Sequence, residues 1–124
     1  MLETHISRDL LVLVENEAVV RNLKPDMELL KKIENAFAVI VTARGETCDF
    51  VSRFFAPNEG IDEDPVTGSS HSTLIPFWSE RINKKNLCAK QLSKRGGILL
   101  CEDSGDRVKI SGKAVCYLTG NIEI

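Results

Sequence analysis

At 124 residues, 43% of them hydrophobic and 27% charged, the chain has the size of one domain with a single core of ordinary composition, and residues 1–124 are expected to form that domain. Sixteen Lys and Arg against eighteen Asp and Glu leave a formal net charge of -2, which excludes a basic nucleic-acid-binding surface and a polybasic membrane anchor. No segment approaches the ~18 apolar residues of a membrane span and no signal peptide is read at the start, so the cytoplasm is the expected location.

Residues 1–7 have no clear period and read either as a linker or as a short edge strand. Leu10 to Val14 is a continuous apolar run too short for a helix, which predicts a buried strand. Glu15-Asn16-Glu17 turns it, and Ala18 to Leu23 predicts a short helix. That helix must end before Pro25, because the residue ahead of a proline is pushed out of the helical region. Asp26 caps a second helix over Met27 to Glu34, with Met27, Leu30 and Ile33 on one face and Glu28, Lys31, Lys32 and Glu34 on a solvated remainder.

Phe37 to Thr42 is the next strand, and the strand-helix-strand order predicts a crossover that sets it beside the first. After the turn Arg44-Gly45-Glu46, Cys48 to Ala56 forms a third strand. Cys48, Phe50, Ser52 and Phe54 share one of its faces, and Val51, Arg53 and Phe55 the other. Arg53 has two readings among these apolar neighbours: an ion pair with Asp64 or Glu63, or a stem that snorkels to solvent.

Pro57 to Glu63 is a loop delivering the chain to Asp62-Glu63-Asp64-Pro65-Val66-Thr67-Gly68-Ser69-Ser70-His71-Ser72, the entry to a helix expected over Pro65 to Ile82. Asp64 suits the N-cap and Pro65 the first helical position; Thr67 is a second candidate cap. Gly68, Ser69 and Ser70 carry so little bulk that the free amides of a first turn there stay open to an anion such as a carboxylate or phosphate. An ordinary capped start is the plainer reading of the same residues. The nucleoside-triphosphate loop and the dinucleotide fingerprint are both absent from the sequence. Further along, Leu74, Ile75, Trp78 and Ile82 make an apolar stripe, and Pro76 is expected to kink the helix or end its first half. His71, one turn in, reads either as a ligand contact or as a buried, satisfied histidine.

Beyond Arg81 the pattern predicts strands alone, at Leu87 to Ser93, Ile98 to Glu102, Arg107 to Ser111, Ala114 to Leu118 and Ile122 to Ile124, separated by glycine-bearing turns. Cys48, Cys88, Cys101 and Cys116 are widely spaced and have only His5 and His71 for company. That pattern does not make a zinc site, and reduced core cysteines are expected. The elements together predict an α+β fold: a strongly curved, mainly antiparallel sheet wrapped around one central helix, with a shorter helix outside.

The run Val51-Ser52-Arg53-Phe54-Phe55-Ala56-Pro57, then Gly60, then Glu63-Asp64-Pro65-Val66-Thr67-Gly68-Ser69 resembles the signature of the phenazine biosynthesis protein F-like isomerases, a family related in fold to diaminopimelate epimerase. Arg8-Asp9-Leu10-Leu11-Val12, Ile40-Val41-Thr42-Ala43, Gln91-Leu92-Ser93 and Arg95-Gly96-Gly97 are similar to the family in the same order, so the likeness covers nearly the whole chain. It implies a diaminopimelate epimerase-like lobe. Members have two similar lobes with the active site between them, and this chain resembles only the C-terminal one. The N-terminal lobe supplies a glutamate that moves a proton between substrate carbons. Nothing here matches that glutamate's motif, so the chain alone is expected to be inactive. By motif, Asp64 and Ser69 correspond to the catalytic aspartate and serine. Thr67, Gly68, Ser69, Ser70 and His71 are then the substrate-binding residues, with the amides of Gly68, Ser69 and Ser70 on a substrate carboxylate. The related epimerases carry a cysteine where Ser69 stands, so racemisation by two thiols is not supported.

The expected function is half of an isomerase or epimerase that uses no cofactor and no metal and moves a proton on a small carboxylate-bearing metabolite. Its expected partner is the missing N-terminal lobe or a second copy in a homodimer. The alternative is a stand-alone ligand-binding or assembly module that self-associates.

Overall fold

The computed structural model describes residues 1–123. Seven strands form one sheet in chain order: β1 (Glu3–Ile6), β2 (Leu10–Leu13), β3 (Val39–Arg44), β4 (Phe50–Phe55), β5 (Asn86–Gln91), β6 (Gly97–Asp103) and β7 (Val108–Ser111). Among the described residues three α-helices accompany them, α1 (Glu17–Asn22), α2 (Met27–Leu30) and α3 (Gly68–Ile82), with a single 3-10 turn at Pro57–Glu59. Of the six strand pairs, β2 with β3 and β4 with β5 are parallel, and the other four are antiparallel. The expected crossover therefore forms, with Leu10 opposite Val39 and Leu13 opposite Thr42. Of the two readings for residues 1–7, the edge strand is the one realised, since β1 pairs with β2.

The two parallel pairs explain why the helices lie on opposite faces. A crossover between parallel strands is right-handed, and β4 runs opposite to β3. Two right-handed connections that advance the same way across the sheet from oppositely directed strands must cross on opposite sides. Accordingly α1 and α2 cover one face, where Val20, Leu23, Met27, Leu30 and Ile33 meet Val39, Val41, Val51 and Phe55. On the other, Leu74, Ile75 and Trp78 of α3 meet Leu11, Ile40, Phe50, Phe54, Ala89 and Leu99. With both faces covered, β3 and β4 are buried at nearly every position, which is why Ala38 to Val41 reads as a continuous apolar run.

The sheet curves around α3. Seven strands laid flat span roughly 29 Å, whereas a helix is about 10 Å wide. Yet both edges touch α3: at β1 the His5 ring lies 5.5 Å from that of Phe77 and Glu3 binds Arg81, while Val108 of β7 packs into the α3 cluster. Leu74 and Ile75 are fully buried, each contributing about 1.5–3 kcal/mol by removal from water. Trp78 stacks on Phe50 at 5.8 Å and donates its indole N–H to Thr42 Oγ1 at 3.0 Å; that hydroxyl in turn donates to the Val51 carbonyl.

Several local expectations are revised. The helix after Asp26 is capped as predicted, Oδ1 accepting from the Glu28 and Leu29 amides, but it ends at Leu30 rather than Glu34. The Lys32 and Ile33 amides bond three residues back and tighten the chain into turns. Pro76 does not end the first half of α3, which continues to Ile82; the proline and the Ser72 carbonyl it leaves without a donor lie on the exposed side. The strands expected at Ala114 to Leu118 and from Ile122 do not form, and Ile124 lies outside the described residues. Val115, Tyr117, Leu118 and Ile122 are 92%, 99%, 81% and 88% exposed. A strand needs a neighbour and a surface to bury before its ordering cost is met, and no described surface packs on these residues. Among the described residues no helix is long and apolar enough to cross a membrane.

Candidate functional site

The start of α3 is set by a side chain 24 residues away. Gln91, the last residue of β5, is 1% exposed and faces α3. Its Oε1 accepts from the Thr67 amide at 2.8 Å, and its Nε2 donates to the Asp64 carbonyl at 2.8 Å and to Thr67 Oγ1 at 3.0 Å. The Asp64 amide donates to the Phe54 carbonyl, which keeps Asp64 alongside β4. The helix consequently begins at Gly68 with Thr67 at the N-cap position, and the expectation of Asp64 as N-cap with Pro65 first in the helix is corrected. Thr67 does not close the helix end with its side chain either, because its hydroxyl donates to Asp64 Oδ2 at 2.5 Å.

Two further contacts hold this entry. Ser93 Oγ donates to the Pro65 carbonyl at 2.7 Å and accepts from the Gly96 amide at 3.0 Å. Gly96 sits at a φ of +70°, and a Cβ on Gly97 would stand 2.4 Å from Val66 Cγ2. The pair therefore supplies one left-handed residue and one close approach. The open question of Arg53 is answered by Glu63: Nε to Oε1 is 2.7 Å and Nη2 to Oε2 is 2.9 Å, and Nη1 donates to the carbonyls of Val20 and Leu23. This fork ties the loop to α1 and leaves Asp64 to Thr67.

The first three amides of a helix have no intrahelical acceptor, and those of Gly68, Ser69 and Ser70 have no other partner among the described residues. Gly68 and Ser69 are exposed. Ser69 Oγ accepts from Arg8 Nη2 at 3.2 Å. Ser70 is buried, its hydroxyl donating to the Thr67 carbonyl at 3.0 Å. His71 is wholly buried, its ring centroid 5.9 Å from that of Phe50. Its Nδ1 lies 2.7 Å from the Thr67 carbonyl, which can only accept, so Nδ1 carries the proton. Nε2 is left a buried acceptor with no partner among the described residues. Burial pushes the pKa of His71 below its ordinary value, against a smaller opposing pull from that carbonyl, and the ring is neutral.

The arrangement thus brings Asp64, Thr67, Gly68, Ser69 and Ser70 together at an open helix end, with His71 beneath them in the core. It can hold an anion on several donors, and it sets a carboxylate and two hydroxyls within one turn of that anion. Among the described residues no group of three or more His, Cys, Asp or Glu side chains is arranged to hold a metal ion. Gln91 and Arg8 are site residues that motif reading passed over as individuals. The signal for Gln91 was a polar residue on the inward side of a strand whose other inward residues are Leu87 and Ala89. For Arg8 it was a charged pair, Arg8-Asp9, directly before a buried strand.

The phenazine biosynthesis-like protein family matches residues 2–120 of the chain. An uncharacterised isomerase of Pseudomonas aeruginosa is 54% identical over 115 residues, which make up 93% of this chain and 44% of the relative. A phenazine biosynthesis-like domain-containing protein of Homo sapiens is 42% identical over 119 residues, 88% of this chain and 41% of the relative. The crystal structure of a phenazine biosynthesis protein of the PhzF family from Enterococcus faecalis matches with a TM-score of 0.91 at 43% identity, covering 99% of this chain and 47% of that one. The chain spans less than half the length of each of these proteins.

Proposed function

The chain belongs to the phenazine biosynthesis-like protein family, and on that premise we propose that it forms the C-terminal lobe of an isomerase or epimerase that moves a proton on a small carboxylate-bearing metabolite without a cofactor. In this reading the lobe is of the diaminopimelate epimerase-like kind. The amides of Gly68, Ser69 and Ser70 hold the substrate carboxylate, Asp64 and Ser69 handle or orient the proton, and Thr67 and His71 fix the helix entry. An N-terminal lobe of the kind the family carries supplies the base. The observation that carries the reading is the open start of α3, where three amides lack partners among the described residues beside a carboxylate and an exposed hydroxyl. Free thiols at Cys48, Cys88, Cys101 and Cys116 suit a reducing compartment such as the cytoplasm.

The test is reconstitution in deuterated water. This chain is mixed with a separately produced N-terminal half of a relative and a panel of small amino and hydroxy carboxylates, and solvent deuterium entering the substrate is followed by mass spectrometry. Exchange should require both halves and should drop by about 10²-fold or more in Asp64→Asn, the scale of a lost acid-base group. A carboxylate that binds the mixture without exchanging argues against the isomerase reading.

The exposed Val115, Tyr117, Leu118 and Ile122 favour a second reading, a binding or assembly module that self-associates as a homodimer, because apolar surface of this extent rarely stays bare. Sedimentation that gives a clean monomer at micromolar concentration would remove it.

A further inference from the structure

We propose that Arg8 is a second element of the anion seat, sharing the substrate carboxylate with the amides of α3, and that Asp9 is the residue that positions it. The inference rests on the reading of the α3 entry as that seat.

Arg8 lies in the turn between β1 and β2, 61 residues from Ser69 in sequence, and its side chain is half exposed. Exposed arginines ordinarily keep their rotamer freedom, and pairing them contributes little. This one is held on three sides. Its Nε and Nη2 donate to the two carboxylate oxygens of Asp9 at 3.2 and 3.0 Å, its guanidinium carbon sits 4.7 Å above the centre of the Phe37 ring, and Nη2 donates to Ser69 Oγ. Its main chain is fixed as well, the Arg8 carbonyl accepting from the Phe37 amide.

Asp9 is 2% exposed, and Arg8 is the one hydrogen-bond partner of its carboxylate among the described residues. A buried charge with a single partner is a costly device for stability. What it does achieve is to fix the direction of that partner.

A guanidinium has five N–H donors in a rigid plane. Asp9 takes Nε–H and one hydrogen of Nη2, and Ser69 takes the other. The Nη1 hydrogens make no hydrogen bond among the described residues. The end-on edge formed by Nη1 and Nη2 is therefore the one turned to Ser69, and that edge binds a planar carboxylate in two-point fashion once the carboxylate takes the Nη2 hydrogen over from Ser69 Oγ. Ser69 carries one of the three unpartnered amides, so a carboxylate seated on them lies next to this edge.

The test is a titration of the full chain, labelled with nitrogen-15, with acetate at constant ionic strength held by chloride, and with acetamide as the neutral control. Amide resonances of Gly68, Ser69 and Ser70 report the helix entry, and the Arg8 Nε–H resonance reports the guanidinium. In the wild type both sets should move with one Kd under acetate and stay still under acetamide. Arg8→Gln, which keeps a donor for Asp9 but removes the charge, should weaken the Kd read at the amides about tenfold or more. Arg8→Lys, which keeps the charge but not the planar fork, should recover only part of it. Asp9→Asn should weaken binding and broaden the Arg8 Nε–H line while the remaining amide spectrum stays in place, which a purely structural role would not produce. If the amides respond while Arg8 Nε–H is silent and both Arg8 variants keep the wild-type Kd, Arg8 is no part of the seat and the helix entry stands without it. If the amides do not move in the wild type, the helix-entry reading fails and takes this inference with it.

Discussion

Replacing Gln91 with leucine isolates the contact that decides where α3 begins. The two side chains are of similar volume, so no cavity opens, and the cost comes from polar groups left without partners. The Thr67 amide loses its acceptor at 2.8 Å and the Asp64 carbonyl its donor at 2.8 Å, while Thr67 Oγ1 keeps its bond to Asp64. Thr67 is 6% exposed, so water reaches it poorly. At about 1–3 kcal/mol for each of these two stranded groups, Gln91→Leu should lose about 2–6 kcal/mol, a large part of the 5–15 kcal/mol typical of a domain. The melting temperature should fall on the order of 10 °C. Urea unfolding followed by far-ultraviolet circular dichroism measures it, and the midpoint should move with the slope unchanged. A loss below ~0.5 kcal/mol, the range of an uninvolved surface change, would refute the claim that Gln91 holds the helix entry.

Gly97→Ala should cost about 1–3 kcal/mol in a thermal scan, because the new methyl meets the stiff Val66 side chain at 2.4 Å; an unchanged melting temperature would mean that Val66 moves freely. Leu74→Ala, at a position with no exposure, should cost about 2–5 kcal/mol by the same assay, and a smaller loss would show that the α3 face collapses to fill the gap. Burial keeps the folded pKa of His71 below its ordinary 6.5, so the unfolded chain takes up that proton first. The contribution is fully present above about pH 6.5 and is lost as the pH falls below it toward the folded pKa. Urea midpoints measured from about pH 7 to pH 5 should trace this loss, and His71→Gln should flatten it; a profile that His71→Gln leaves unchanged would assign the slope to other groups.

What the sequence made legible is what burial writes into short-range pattern. The run from Leu10 to Val14 gave a strand, Asp26 a cap, and Leu74, Ile75 and Trp78 the buried stripe of a helix, since each follows from period or from local capping chemistry. The α3 start was misplaced by three residues because Asp64-Pro65 and Thr67-Gly68 are locally equivalent entries. The choice between them is made by the Gln91 side chain and by the Phe54 carbonyl, both distant in sequence. Ala114 to Leu118 is a continuous apolar run like Leu10 to Val14, but a strand is completed by its neighbour, and pattern alone does not supply one. For Arg53 the pattern left both an acid partner and a path to solvent open, and it did not choose between the acids, because Glu63 and Asp64 are adjacent and only the register of the loop against β4 separates them.

The chain carries one tryptophan and one tyrosine, and the fold sends them to opposite environments. Trp78 is 5% exposed between Phe50 and Thr42, whereas Tyr117 is 99% exposed. Intrinsic fluorescence excited at the indole therefore reports the seating of α3 in the sheet and is silent about the C-terminal segment. Quenching of the tyrosine signal reports that segment alone, so loss of the core and covering of the segment by another polypeptide can be followed in one cuvette without a label.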